Sequence, residues 1–225
     1  MVYSYGSHYI TKEDIKLVKK NLENGTLTQG KLVVKFEKKI SNYFGSKYAK
    51  VFSNGSSALI ALGKAMKWDE KDLVITTPIS FAATSNCALH LNSKIDFVDI
   101  DLETVNISCQ KLEDKIKLLR KNGNKSKINV IAVDYAGLPC DWEDLRYLAN
   151  KYSFKLINDN CHAMGSEYKG SKKYAVKYAD AVTQSYHPVK NFTTGEGGAV
   201  LSNNKEIMNK LSEIRDHGIQ RSFRK

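Results

Sequence analysis

From Ala49 to Arg215 short apolar runs alternate with stretches of helical spacing, and that alternation restricts the fold more than any other property of the chain. Ala49–Phe52, Leu73–Thr76, Ile95–Val98, Ile128–Val133, Lys155–Ile157, Ala181–Gln184 and Ala199–Leu201 read as strands. Helical patterns start at Ser56 and Ala82 and cover Leu112–Leu119, Glu143–Lys151 and Glu206–Arg215. Strands and helices in turn predict an α/β fold: a mostly parallel, seven-stranded sheet flanked by helices on both faces. Two helices precede it. Thr11 and Asp14 offer an N-cap for a stripe of Ile15, Val18 and Leu22 that stops at Asn24-Gly25, and Val33, Phe36, Ile40 and Tyr43 repeat the spacing up to Gly45. The expected organisation is a helical leader over 1–45 and one large domain over 46–225, with Lys121–Lys127 as a polar turn and no internal repeat.

The formal charge of +11 raises the question of nucleic acid. Its lysines are spread over helix faces (Lys12, Lys16, Lys19, Lys20; Lys35, Lys38, Lys39), and neither a helix-turn-helix nor a basic helix is legible, so no nucleic-acid partner is expected. Cys87, Cys109, Cys140 and Cys161 stand far apart with no C-x-x-C pair, which signals neither a zinc site nor a disulfide framework. No run approaches a membrane span and the first residues lack a signal pattern, so a cytoplasmic protein without a membrane partner is expected.

In such a sheet ligands sit beyond the carboxyl ends of the strands. After the first strand, Ser53-Asn54-Gly55-Ser56-Ser57 opens a helix whose N–H groups and hydroxyls suit an anion, although Ser and Gly also cap ordinary helices. After the second, Phe81 heads a helix of small residues, placed to cover a flat ring or to join the core. Asp159 follows the fifth strand, a position from which a carboxylate can pair with a protonated pyridine nitrogen; His162 can reach a ring hydroxyl or merely pack. Asp159, Cys161 and His162 lack a distant fourth ligand, so no metal is expected. Lys190, in Ser185-Tyr186-His187-Pro188-Val189-Lys190-Asn191, lies between two strands and is either a solvated loop lysine or an amine used as a nucleophile toward carbonyls, for which pyridoxal 5'-phosphate is the commonest partner.

These segments resemble the DegT-type sugar aminotransferases, which depend on pyridoxal phosphate and have the fold type I architecture. The resemblance is carried by Thr26-Leu27-Thr28-Gln29-Gly30, Asn54-Gly55-Ser56-Ser57-Ala58-Leu59, Phe81-Ala82-Ala83-Thr84, Phe97-Val98-Asp99-Ile100-Asp101, Asp159 to Gly165, the Ser-x-His-x-x-Lys of 185–190, Gly195-Glu196-Gly197-Gly198 and His217-Gly218. It is strongest to the branch that aminates a UDP-linked 4-keto-6-deoxy-N-acetylhexosamine for pseudaminic-acid-type surface glycans. The resemblance implies Lys190 as the Schiff-base lysine and Asp159 as partner of the pyridine nitrogen. It further implies Phe81 as ring cover, Gly55, Ser56 and Ser185 around the phosphate, and His162 near the ring hydroxyl. It implies a UDP-sugar and an amino-acid donor such as glutamate as substrates, and a homodimer. Lys190 argues against the related sugar 3-dehydratases, in which histidine takes its place. Relatives continue into a smaller C-terminal domain with a Gly-x-Asn-x-Arg segment that this chain lacks. The expectation therefore has an alternative: a non-catalytic remnant or one half of a split enzyme.

Overall fold

A computed structural model describes residue 6 and residues 8–219. In chain order the elements are α1 (Lys12–Asn24), α2 (Lys31–Phe44), β1 (Tyr48–Phe52), α3 (Gly55–Ala65), β2 (Asp72–Thr76), α4 (Ala83–Leu89), β3 (Lys94–Phe97), α5 (Cys109–Lys121), β4 (Lys127–Val133), α6 (Trp142–Tyr152), β5 (Lys155–Asp159), α7 (Tyr174–Tyr178), β6 (Ala181–Ser185), β7 (Gly198–Ser202) and α8 (Lys205–Arg215). The seven strands form one sheet in the order β1-β7-β6-β5-β4-β2-β3. All neighbours from β3 to β6 run parallel, whereas β7 is antiparallel to both β6 and β1. The mostly parallel α/β sheet expected from the alternation is therefore present, with its exception at β7.

Side chains alternate across a strand, and the two cores follow that period. Leu73, Ile75, Val130, Ala132, Leu156, Val182 and Leu201 point to a core shared with α2, α5, α6 and α7. Val74, Ile131, Ile157, Ala181 and Val200 point to the opposite core under α3, α4 and α8. Both leader helices form where the apolar spacing places them, and Thr11 with Asp14 makes the reciprocal cap of α1. Their fates differ. Ile40 and Phe44 of α2 are buried in the first core, each contributing roughly 1.5–3 kcal/mol by area removed from water. Ile15, Val18 and Leu22 of α1 stay exposed, and α1 buries none of its residues.

Two features depart from the sequence expectation. β5 continues two residues past its apolar run, because Asn158 and Asp159 keep pairing with β4 and β6 while their buried side chains find polar partners. The short α7 has too few residues to announce a helical period, yet it buries Tyr174, Ala175 and Val176.

Candidate active site

The carboxyl ends of β2, β4, β5 and β6 and the start of α3 surround a cleft of about 720 Å³. All seven residues singled out from the sequence line it: Gly55, Ser56, Phe81, Asp159, His162, Ser185 and Lys190.

The floor is built by α3. Asn54 caps this helix by accepting from Ser57 N–H at 2.8 Å, and the Ser57 hydroxyl turns to Asn54 and Ser53. Ser57 is thus consumed by the cap. Gly55 and Ser56 hold the first-turn N–H groups that no preceding helical carbonyl can reach, together with a positive helix end. Two close approaches hold this turn down. A Cβ on Gly55 would stand 2.9 Å from the Ser185 Cβ, and one on Gly198 would lie 2.3 Å from the Asn54 carbonyl oxygen. The Gly-Glu-Gly-Gly run is therefore a spacing device: only a strand beginning with glycine lets β7 lie this near α3.

Asp159, 4% exposed, closes the back wall. Its Oδ2 accepts from the Thr84 hydroxyl at 2.8 Å and its Oδ1 from the Cys161 N–H at 3.3 Å, so both oxygens are aimed. The half-buried Cys161 thiol is pushed far above its ordinary pKa, by burial first and then by the Asp159 charge. It is a neutral wall group. Beside it, burial and then the Lys190 charge lower the His162 imidazole pKa, which keeps the ring neutral at neutral pH. Tyr135 meets His162 edge-on with ring centroids 6.1 Å apart.

Phe81 stands at the rim with 71% of its surface exposed. Lys190 rises on the β6–β7 connection, where its N–H closes a turn on the His187 carbonyl at 2.9 Å. That connection is anchored by Tyr186, a buried ring wedged between Phe36 of α2, at 5.4 Å, and Phe192, at 5.6 Å. His187 and Glu196 flank the lysine, with Nε2 3.9 Å from a carboxylate oxygen. Among the described residues no three His, Cys, Asp or Glu side chains gather as a metal site.

Thr84, Tyr135 and Glu196 also line the cleft, and the sequence pattern alone assigns them no role. The signal for Tyr135 is its position just after β4, at a strand end like those that carry Asp159 and Ser185.

A helix start open to anions, a buried carboxylate and a lysine converging at strand ends define an α/β protein with a strand-end ligand cleft. A model described as the DegT/DnrJ/EryC1/StrS aminotransferase family matches residues 8–225, and the chain belongs to that family. It is 42% identical over 216 residues to a UDP-4-amino-4,6-dideoxy-N-acetyl-beta-L-altrosamine transaminase of Campylobacter jejuni, covering 96% of this chain and 55% of that protein. Among solved structures it resembles PseC of Helicobacter pylori, an aminotransferase involved in the biosynthesis of pseudoaminic acid. That likeness has a TM-score of 0.90 and 34% identity, over all of this chain and 59% of that one. It also resembles NtdA of Bacillus subtilis with bound cofactor PMP, at a TM-score of 0.80 and 30% identity over 91% of this chain and 45% of that one. The chain thus spans about half the length of the curated relatives it matches.

Proposed function

We propose that this chain is the cofactor-binding part of a pyridoxal-phosphate-dependent nucleotide-sugar aminotransferase, acting in the cytoplasm on a UDP-linked 4-keto-6-deoxy sugar with an amino acid as donor. The observation that carries the reading is the convergence of Gly55, Ser56, Ser185, Asp159 and Lys190 on one cleft. The donor set fits the group. N–H and hydroxyl donors at the α3 start suit a phosphate, the aimed Asp159 carboxylate suits a protonated ring nitrogen, and the rim Phe81 suits a ring face. When bound, pyridoxal phosphate supplies an electron sink for negative charge developing on a substrate carbon.

The chain's own residues do the rest. Lys190 Nζ would be the nucleophile that holds the cofactor by its carbonyl carbon, and as a free amine it would be the base that takes the proton from the donor carbon and the acid that delivers it to the cofactor's carbonyl carbon. Asp159, fixed by Thr84 and Cys161, keeps a proton on the ring nitrogen. Neutral His162 offers one hydrogen bond without competing for that charge. The large domain of this reading is 46–225, and the homodimer belongs to it too, supported by the solvent-facing apolar stripe of α1. Incubation with pyridoxal phosphate, borohydride reduction and peptide mass mapping tests it: the added mass belongs on the peptide bearing Lys190, and uptake elsewhere or no uptake refutes the reading.

A further inference from the structure

β5 and β6 carry the two residues that the proposed function puts at opposite ends of the cofactor: Asp159 at the ring nitrogen and Ser185 at the phosphate. The strands pair only through Ile157 with Ala181, Asn158 with Val182 and Asp159 with Thr183, and the last backbone bond runs from Asn160 N–H to the Thr183 carbonyl at 3.0 Å. Beyond it no ladder bond sets the distance between the two strand ends. A side-chain bond on the opposite face does: Gln184 Nε2 donates to Asn160 Oδ1, both residues being fully buried.

Asn160 is itself immobilised. Its Nδ2 donates to Asp134 Oδ2 at 2.7 Å and to the Tyr174 hydroxyl at 2.9 Å, which leaves Oδ1 facing β6 and in need of a donor. Asp134 is the hub, for it also accepts from Asn158 Nδ2, the Tyr174 hydroxyl, Cys140 N–H and Trp142 Nε1. Burial pushes the Asp134 carboxyl pKa up, and these hydrogen bonds pull against that rise. Gln184 gains less than it gives, since its Oε1 is buried with no hydrogen-bond partner. An apolar side chain there would remove that unpaired oxygen but would leave the buried Asn160 Oδ1 without its donor, so the glutamine is retained at the cost of one unpaired oxygen of its own.

We propose that Asn160 and Gln184 are positioning residues whose amide–amide bond, on the face of the sheet away from the cleft, sets the spacing between Asp159 and Ser185 and thereby between the two ends of the bound cofactor. This rests on the function proposed above. Spacing matters to a ligand held at both ends and not to one held at a single end. Gln184→Met keeps the shape and removes the donor. Relative to the unaltered chain, its affinity for pyridoxal phosphate falls about tenfold, as preorganisation of two linked contacts is lost. Its affinity for pyridoxal, which lacks the phosphate, changes by less than about twofold, a limit set by the same argument.

Both affinities are read by trapping with borohydride across a concentration series, beside the thermal midpoint of each protein. Gln184→Leu gives the same split and guards against one variant misfolding. Unchanged pyridoxal phosphate affinity, or an equal loss for both ligands, overturns the positioning role while leaving the functional reading intact. Failure of the unaltered chain to take up pyridoxal phosphate overturns both.

Discussion

Asp159 and Lys190 face the same cleft but are held in opposite ways. The carboxylate is buried at the end of a central strand, receives two hydrogen bonds, and is flanked in sequence by Asn158 and Asn160, which reach back to Asp134. The lysine is half-buried on a connection between strands, and its Nζ makes no hydrogen bond or ion pair among the described residues. A group whose work is to stay charged in one place belongs on the rigid element. On the proposed function Lys190 must bond, let go and move a proton, and such a group belongs where its side chain can swing.

The largest effect expected from breaking this contrast is on the loop and leaves the fold alone. Lys190→Ala abolishes borohydride-trapped cofactor, while its unfolding free energy stays within about 0.5 kcal/mol of the parent, as for other side chains without partners. On the strand side the balance reverses. Asp134→Ala strands Cys140 N–H, Trp142 Nε1, Tyr174 and two asparagine amides, and costs about 3–5 kcal/mol in a denaturant titration. A cost below about 1 kcal/mol would mean that this network does not stiffen β5.

Thr84→Val removes one donor to Asp159; about 1–2 kcal/mol of stability should go with it, along with a weaker grip on pyridoxal phosphate. The smallest effect lies between the two regions, at His162. Its pKa is lowered in the folded state, so the unfolded chain takes up the proton more readily. Its stabilising share is complete above the ordinary value of 6.5 and is lost as pH falls from there through the lowered value. His162→Gln should flatten that part of a stability-versus-pH curve, and an unchanged slope would assign it to other groups.

The same contrast separates what the sequence made legible from what it hid. Strands announced themselves by apolar runs, and Lys190 by standing alone between two of them. β5 ran on because Asn158 Nδ2 and the Asp159 carboxylate find partners distant in sequence, Asp134 and Thr84, and no local pattern records such a bond. The Asn160–Gln184 tie was hidden for that reason as well. The stripes of α1 and α2 looked alike, since periodicity reports that a face is apolar and not what covers it. Among the described residues the α2 stripe found a core, with Ile40 and Phe44 buried in it and Phe36 packed against it, and the α1 stripe did not.

The antiparallel pairing of β1 with β7 also sets the moment at which β1 can join the sheet. Tyr48 is among the first strand residues to leave the ribosome, yet its partner across the ladder is Ser202. For the roughly 10–30 s needed to make the intervening residues, β1 is an orphan edge and the turn that begins α3 has no floor beneath it. β1 therefore joins the sheet only after β7 is made, and the cleft floor at the start of α3 is completed no earlier.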